Sequence, residues 1–291
     1  MITTLQGKAY GKINIGLDVL RKRSDGYHEV KMIMQTVSLY DRITITRNKN
    51  SSDIVLETNL NFLPTNENNI VYKAAKLIKD EFGISDGLSI KLEKHIPVAA
   101  GMAGGSTDAA TTLELLNTMY SLNLSKDDLM KRAVTLGADV PYCILKGTAL
   151  SEGIGEVLTP LKQLMPCYIL IVKPPIYVST KFVYENLRIN ELNSHPDIDG
   201  IVDAISAGDL ETMSQKMGNV LESVTEDNYL VISSIKKLMT QNGAISSLMS
   251  GSGPTVFGIY DNEDKINQAA TFFKTNYPSY RTYVTKPINN S

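Results

Sequence analysis

A segment of small residues joins a strand pattern to a helix pattern, and it restricts the possible folds more than any other feature. Apolar residues alternate with polar ones over 88–94, as in a half-buried strand. The segment PVAAGMAGGSTDAA follows at 97–110, and apolar residues then recur at helical spacing. The segment is therefore expected to be a turn that opens onto the N-terminus of a helix, which we predict over 107–120.

Three glycines in this turn, Gly101, Gly104 and Gly105, allow the backbone to approach a ligand closely. The unpaired N–H groups of a first helical turn point toward the same place, and phosphate is the ligand that suits such a site best. The alternative is that a side chain from 106–108 simply caps the helix.

Two familiar phosphate-binding motifs are excluded by residues at their defining positions. A P-loop needs Lys directly after its last glycine, but Ser106 follows Gly105. The dinucleotide fingerprint G-x-G-x-x-G fails because Ala103 is the third residue counted from Gly101, and because a second helix pattern follows rather than a strand carrying an acidic residue. If this turn binds phosphate, it therefore belongs to a different kind of phosphate-binding loop.

The composition is typical of a soluble globular protein, with 43% hydrophobic and 21% charged residues. A net charge of −2 gives no basic balance that would indicate nucleic acid or an anionic membrane as a partner. Cys143 and Cys167 lie in apolar surroundings, so we expect buried thiols in a reducing compartment. A signal-peptide pattern and a run of about 18 apolar residues are both lacking, which predicts a cytoplasmic protein.

Strand and helix patterns occur in mixed order, which favours the α+β class over a doubly wound sheet. On a prior of about 150 residues per domain the length predicts two domains, which we place at 1–157 and 158–291. The apolar run 168–172 predicts a central strand of a second sheet. Later patterns predict helices at 180–187, 198–207, 209–221, 228–241 and 263–275, and strands at 244–249, 255–260 and 280–285.

Phosphoryl transfer requires positive charge near the transferred group and a carboxylate that accepts the proton of the attacking hydroxyl. Alternation over 9–19 places Lys12 and Asn14 on one face of a strand, so Lys12 offers the charge. Asp139 offers the carboxylate, in a short break after a helix predicted over 125–136. The respective alternatives are a solvated lysine and a turn residue that ends the helix.

A second small-residue loop, SGSGP at 250–254, joins two apolar strands. Its simplest interpretation is a tight hairpin connection. With two such loops in one chain, one can cradle phosphates while the other lines the opposite wall of a cleft that holds a nucleotide between two domains. The candidate residues of this loop are Ser250, Gly251, Ser252 and Gly253.

Five segments, in this order and spacing, carry a resemblance to a known family: AYGKINIGLDV, RSDGYHEV, PVAAGMAGGSTDAA, LGADVP and MSGSGPTVFGIY. The chain resembles the 4-diphosphocytidyl-2-C-methyl-D-erythritol kinases, which belong to the galactokinase, homoserine, mevalonate and phosphomevalonate kinase superfamily. The small-residue motifs are shared by the superfamily. Lys12, Asn14 and the Asp-Gly-Tyr-His of 25–28 are typical of this member.

The resemblance implies an N-terminal domain of the ribosomal S5 domain 2-like type and a ferredoxin-like C-terminal domain, with the active site in the cleft between them. It also implies transfer of the γ-phosphate of ATP to the 2-hydroxyl of the methylerythritol unit, with Mg²⁺, in non-mevalonate isoprenoid biosynthesis. The expected partner is a small cytidine diphosphate substrate rather than a nucleic acid or a membrane. We expect the chain to be a monomer or a homodimer.

The resemblance also assigns residue roles, by matching motif positions. Asp139 becomes the general base and Lys12 the catalytic lysine, while Tyr27 would stack on the cytosine. The residues expected to contact the cytidine substrate are Asn14, Tyr27, His28 and Tyr184. The residues expected to bind ATP are Pro97, Val98, Ala99, Ala100, Gly101, Met102, Ala103, Gly104, Gly105, Ser106 and Thr107.

The phosphate loop departs from the family pattern, because members often carry more glycines where this chain has Ala99, Ala100 and Ala103. Alanine keeps the loop small but restricts φ, so we expect right-handed or extended angles at these positions. The side chain that contacts the metal is left open, because two hydroxyls and a carboxylate lie close together at 106–108.

Two other functions stay open at this point. Another kinase of the superfamily, of the homoserine or mevalonate type, would share the phosphate loop but need no nucleobase pocket, so Tyr27 and His28 argue against it. A non-catalytic nucleotide- or RNA-binding module with an S5-like fold would need neither Lys12 nor Asp139. The mildly acidic charge also argues against the module.

Overall fold

The chain mixes strands and helices throughout the parts that a computed structural model describes, residues 3–192 and 194–289. The strands are β1 (Thr4–Lys22), β2 (His28–Asn48), β3 (Ile54–Thr58), β4 (Gly87–Glu93), β5 (Thr148–Glu152), β6 (Val157–Pro160), β7 (Tyr168–Lys173), β8 (Gly218–Asn219), β9 (Ser246–Met249), β10 (Val256–Tyr260) and β11 (Arg281–Thr285). The helices are α1 (Ile70–Phe82), α2 (Gly104–Met119), α3 (Lys126–Ala133), α4 (Val140–Leu145), α5 (Thr180–Asn186), α6 (Ile198–Ala207), α7 (Leu210–Lys216), α8 (Glu222–Asn228), α9 (Val231–Gln241) and α10 (Glu263–Asn276).

Two compact units alternate along the chain, and β1 and β2 each contribute residues to both. The first unit comprises the start of the chain up to Gly11, Leu39–Val98 and Ala103–Leu145. The second comprises Lys12–Ser38, Ala99–Met102 and the chain from Lys146 onward. The domain boundary placed at residue 157 stays a prediction.

In the first unit, helices cover a small sheet. β3 runs parallel to β4, and β4 pairs antiparallel with the second half of β2. Helix α1 has its side-chain N-cap at Asn69 and ends at Gly83, whose φ of 62° suits glycine. Its buried residues recur at the spacing of one helical face, and α1 packs on α2, which in turn contacts α4.

In the second unit, β7, β9, β10 and β11 form a four-stranded antiparallel sheet in the order β11-β7-β10-β9. Every residue of β10 is buried, and α9 and α10 pack on this sheet. The order of a strand, helices, two strands, a helix and a last strand is that of a ferredoxin-like domain. This confirms the expected C-terminal architecture and the α+β class.

The remaining strands of the second unit extend β1 and the first half of β2. β5 pairs antiparallel with β2 over Met32–Gln35, and β6 pairs with β5. The short β8 runs parallel to β1, with Asn219 opposite Leu17. Within the described part of the chain, no helix is long and apolar enough to cross a membrane. Cys143 and Cys167 are both buried free thiols, as predicted.

Four predicted helices differ from the structure by three residues or more at one end. The helix predicted over 125–136 ends at Ala133, and the helix predicted over 228–241 begins at Val231. The helix predicted over 209–221 ends at Lys216, because the chain then enters β8 and a separate helix, α8. The helix predicted over 107–120 begins three residues earlier, at Gly104. All four differences lie at helix ends, where hydrophobic periodicity alone does not determine the boundary.

Candidate active site

The phosphate-loop candidate, which lies between β4 and α2, bends through three left-handed backbone positions. Gly101 has a φ of 71°, and Ala99 and Ala103 have φ values of 50° and 53°. The expectation of right-handed or extended angles is therefore wrong for these two alanines. The left-handed conformation costs an L-residue roughly 1–2 kcal/mol, so the shape of this loop is imposed by its surroundings.

The N-cap of α2 is Ala103, and the helix therefore starts within the glycine pair. In the described chain, no side chain caps this helix end, so the alternative in which a residue from 106–108 serves as the cap is wrong. Ser106 is half-buried and Thr107 is buried. The first N–H groups of a helix have no intrahelical partner, which gives this end of α2 the donors that a phosphate site requires.

The two glycines at the start of α2 have different surroundings. A Cβ added at Gly104 would lie 3.2 Å from Cγ2 of Ile96 and 3.2 Å from Nζ of Lys94, on the interior side. At Gly105, which is exposed, an added Cβ would make only an ordinary contact, 3.6 Å from Cγ2 of Ile70. The close neighbours of Gly104 are therefore the side chains of Ile96 and Lys94, which belong to the protein itself.

A buried ionic cluster that the sequence did not reveal lies beneath this helix end. The Lys94 ammonium donates to Oδ2 of Asp108, at 2.6 Å, and to Oδ2 of Asp41. Oδ1 of Asp41 accepts from the backbone N–H groups of His95 and Ile96. Lys94 and Asp108 stand on either side of the phosphate loop, so the cluster ties the two ends of the loop together within the first unit.

Burial dominates the electrostatics of this cluster. It raises the pKa of Asp108 well above the usual range, against the opposing effect of the Lys94 charge. Burial alone would lower the pKa of Lys94, but the carboxylates of Asp108 and Asp41 outweigh it and raise that pKa. In the described chain, Oδ1 of Asp108 has no hydrogen-bond partner. Lys94 therefore stays charged, and Asp108 takes up a proton more readily than an ordinary aspartate does.

Lys12 and Asn14 lie side by side on β1, as predicted, but their strand is buried on both faces. Lys12 is 5% exposed and Asn14 is fully buried, so the solvated-lysine alternative is wrong. The Lys12 ammonium donates to Oδ1 of Asn14 at 2.6 Å, and the Lys12 backbone N–H donates to the Met102 carbonyl at 3.1 Å. The strand that carries the lysine is thus bonded directly to the phosphate-loop candidate.

The loop 250–253 is the hairpin connection between β9 and β10, and it also touches the phosphate-loop candidate. The Ser250 hydroxyl donates to the Gly101 carbonyl at 2.9 Å, and a Cβ added at Gly101 would overlap the Ser250 carbonyl oxygen. A Cβ at Gly251 would lie 3.5 Å from Oδ1 of Asn14. The two loops therefore lie against one another at Gly101, and their placement on opposite walls of a nucleotide site stays a prediction.

The predicted nucleobase contacts lie at the start of β2 and on α5. The His28 and Tyr184 rings are 5.1 Å apart between centroids, tilted by 38°. Tyr27 is 60% exposed, and Oδ1 of Asp25 accepts from its backbone N–H at 3.1 Å. Burial, with a smaller contribution from Lys22, lowers the pKa of His28. His28 is therefore mainly neutral at pH 7, with one ring nitrogen able to accept a hydrogen bond.

Asp139 lies in the first unit, in the turn directly before α4. It is half-buried, and its carbonyl accepts from the Cys143 N–H at 3.1 Å. The helix pattern before it ends at Ala133, so the prediction of a helix-terminating break is confirmed. Its assignment as the general base stays a prediction.

A divalent cation is implied by the kinase resemblance, and the side chains here allow only limited direct coordination of one. No group of three His, Cys, Asp or Glu side chains that could hold a metal occurs in 3–192 or 194–289. Asp108, the carboxylate that directly follows the loop in sequence, is 2% exposed and bonded to Lys94. These residues fit an ion that would be held by phosphate oxygens and water with few ligands from the protein, since Mg²⁺ usually keeps several of its waters.

Family models and curated relatives match both halves of the chain. Residues 69–147 match the model of the GHMP kinases N terminal domain, and residues 201–279 match that of the GHMP kinases C terminal. A protein of Lachnoclostridium phytofermentans named 4-diphosphocytidyl-2-C-methyl-D-erythritol kinase is 59% identical over 96% of each chain. One of the same name from Clostridium perfringens is 48% identical over 98% of each chain.

Solved structures of kinases also match this chain in fold. The crystal structure of a 4-(cytidine 5'-diphospho)-2C-methyl-D-erythritol kinase matches with a TM-score of 0.84 and 31% identity, over 98% of this chain and 100% of the other. A homoserine kinase from Cytophaga hutchinsonii matches with a TM-score of 0.77 over 98% of this chain and 95% of the other, but with 18% identity. The second likeness extends to the fold alone.

Proposed function

Because the chain belongs to the family of 4-diphosphocytidyl-2-C-methyl-D-erythritol kinases, we propose that it transfers the γ-phosphate of ATP to the 2-hydroxyl of 4-diphosphocytidyl-2-C-methyl-D-erythritol. The observation that carries this proposal is the placement of Lys12 and Asn14, since the Lys12 backbone bonds the phosphate loop at Met102 and Gly251 of the second loop faces Asn14. A buried lysine on a strand that lies beside two glycine-containing loops is suited to polyphosphate. Relatives named for this substrate, rather than for homoserine or mevalonate, support the choice of acceptor.

In the proposed reaction, the oxygen of the 2-hydroxyl forms a bond to the γ-phosphorus while the bond from that phosphorus to the bridging oxygen breaks, releasing ADP. Asp139 accepts the hydroxyl proton. Lys12 places positive charge beside the transferred group, and it is held there by Asn14 rather than by solvent. The N–H groups at the start of α2 bind phosphate oxygens.

We also propose Mg²⁺ as the counter-ion of the ATP phosphates, where it supplies positive charge that offsets the charge on their oxygens. Asp108 is buried and bonded to Lys94. We therefore expect the half-buried hydroxyl of Ser106, rather than the carboxylate, to be the side chain that faces the ion.

Recognition of the acceptor is assigned to the turn before β2. Tyr27 has an exposed ring, which suits stacking on a base. A neutral His28, packed against Tyr184, can hydrogen-bond the base edge and so discriminate between bases. We further infer that the protein acts in the cytoplasm on small molecules rather than on nucleic acid, as a monomer or a homodimer.

The proposal is tested by comparing acceptors in an ADP-release assay. We expect the cytidine diphosphate compound to have the highest kcat/KM, the uridine analogue a lower value, and the base-free methylerythritol phosphate the lowest. If the base-free compound served as well as the cytidine compound, the nucleobase pocket would be refuted. A homoserine- or mevalonate-type activity would then have to be tested.

A further inference from the structure

Asn219 lies beneath the second loop, in a position that none of the sequence motifs indicated. It is the last residue of β8, next to Leu17 of β1, and it is 6% exposed. Its side-chain Nδ2 donates to the carbonyl of Met249 at 2.8 Å and to the carbonyl of Gly251 at 2.8 Å. One amide group therefore holds two carbonyls, one at the end of β9 and one within the loop.

The orientation of this amide is determined by a third hydrogen bond. Oδ1 of Asn219 accepts from the backbone N–H of Leu221 at 3.0 Å. The oxygen is therefore on the side of Leu221, and both N–H groups of the amide are directed at the loop. A group of the same shape without those two donors cannot replace it.

The loop needs such donors because its backbone reverses direction sharply. Gly251 and Gly253 have φ values of 57° and 79°, and the Gly253 N–H donates to the Ser250 carbonyl at 3.0 Å. A buried carbonyl left unpaired costs about 1–3 kcal/mol, so inward-facing carbonyls in such a bend require partners. Asn219 supplies them from outside the loop.

The N–H of Met249 has its own support. Oε1 of Glu222 accepts from it at 2.8 Å, and Oε2 of Glu222 accepts from the Lys236 ammonium at 2.6 Å. Met249 is thus held at its N–H by Glu222 and at its carbonyl by Asn219. The base of the loop is anchored on both sides, and Asn219 extends that anchor into the loop through Gly251.

The held loop bears on two groups that the proposed reaction uses. The Ser250 hydroxyl donates to the Gly101 carbonyl at 2.9 Å. Gly251 faces Asn14, which holds the Lys12 ammonium, since a Cβ added at Gly251 would lie 3.5 Å from Oδ1 of Asn14. A displacement of the loop by about 1 Å would break the hydrogen bond to Gly101 and change the spacing between Gly251 and Asn14. Misplacement on that scale can lower catalysis by roughly 10²-fold.

We propose that Asn219 is a positioning residue for phosphoryl transfer, because its amide holds the loop 250–253, whose Ser250 hydroxyl bonds Gly101 and whose Gly251 faces Asn14. This inference rests on the proposed kinase function, since it assigns the loop to the ATP side of that reaction. Loss of the amide donors is expected to impair the use of ATP. Binding of the cytidine acceptor, assigned to Tyr27 and His28, is expected to change little.

The test is Asn219→Asp, which keeps the shape but replaces two donors by an oxygen facing two carbonyls. The matched control is Asn242→Asp, because Nδ2 of Asn242 also donates to a carbonyl, that of Leu238, at 2.8 Å but at the end of α9. We expect kcat/KM for ATP to fall roughly 10- to 100-fold in Asn219→Asp and less than 2-fold in the control. The acceptor KM should stay within about 2-fold in both, which a general loss of structure would not produce.

A second variant, Asn219→Ser, keeps one donor and is used if the aspartate variant does not fold. We expect it to lower kcat/KM for ATP by an intermediate amount. The inference is overturned if a folded variant at Asn219 uses ATP as well as the control does. It is also overturned if neither variant folds, because the amide then supports the domain rather than the site. Calorimetry of ATP binding separates the failure of this inference from the failure of the kinase proposal. Wild-type protein that binds ATP but phosphorylates none of the acceptors would refute the kinase function. Loss of ATP affinity in Asn219→Asp would, even then, support the role of Asn219 in holding the loop.

Discussion

Replacement of Lys94 by methionine is expected to destabilise the protein more than the replacement of any exposed lysine. The Lys94 side chain is 4% exposed, and its ammonium bonds Asp41 and Asp108, whose side chains are 0% and 2% exposed. Methionine has a similar length and no charge, so the variant leaves two carboxylates in the interior without their cation. Removal of one partner from a buried ion pair costs about 3–5 kcal/mol.

Two features of the cluster place the expected loss near the lower end of this range. Asp41 keeps its backbone donors, the N–H groups of His95 and Ile96. Asp108 can take up a proton, because burial already raises its pKa. We therefore expect about 3 kcal/mol, a large part of the 5–15 kcal/mol by which proteins are typically stable.

Urea denaturation, followed by circular dichroism, measures this loss. The control is Lys91→Met on β4, the strand that directly precedes Lys94, since the Lys91 side chain is 61% exposed and its ammonium pairs with Glu93 at the surface. Surface pairs contribute about 0–1 kcal/mol, so the control should be nearly neutral. The double variant Lys94→Met with Asp108→Asn should recover part of the loss. Equal stability of Lys94→Met and the control would refute this account of the cluster.

Three further predictions concern the proposed reaction. Asp139→Asn should lower kcat by roughly 10²- to 10⁴-fold with little change in ATP affinity, and normal turnover of a folded variant would refute its role as the base. Tyr27→Ala should raise the acceptor KM roughly 10- to 100-fold in steady-state kinetics, and an unchanged KM would exclude stacking. The acceptor KM of wild type should be constant between pH 7 and 8 and rise as the pH falls through a value below about 6.5, because burial lowers the pKa of His28 and its neutral form binds the base. His28→Ala should lose that rise, and a rise that persists in this variant would assign it to another group.

Local pattern was sufficient for the features of the site that lie close together in sequence. Strand alternation placed Lys12 and Asn14 on one face, and their ammonium-to-amide bond follows from that spacing. The turn between a strand and a helix likewise predicted the start of α2 to within three residues. The left-handed φ of Ala103 was not predicted, since no local rule favours that conformation for alanine.

Contacts between distant segments could not be derived from periodicity. Lys94 bonds Asp41 from 53 residues away, and Asn219 reaches Gly251 across 32 residues. The sequence around a lysine or an asparagine does not identify the distant residue that its side chain will bond. Strand β8 has only two residues and is too short to show alternation. These long-range contacts hold the loops in place, which explains why the loops were predicted but the residues beneath them were not.

The most direct test of the central claim is identification of the phosphorylated product. Purified protein is incubated with ATP, Mg²⁺ and 4-diphosphocytidyl-2-C-methyl-D-erythritol, while ADP is quantified and the product is examined by phosphorus NMR. The proposed reaction predicts one ADP for each new phosphate monoester, with that phosphate on the 2-hydroxyl. ADP release without a phosphorylated acceptor, or equal phosphorylation of homoserine or mevalonate, would contradict it.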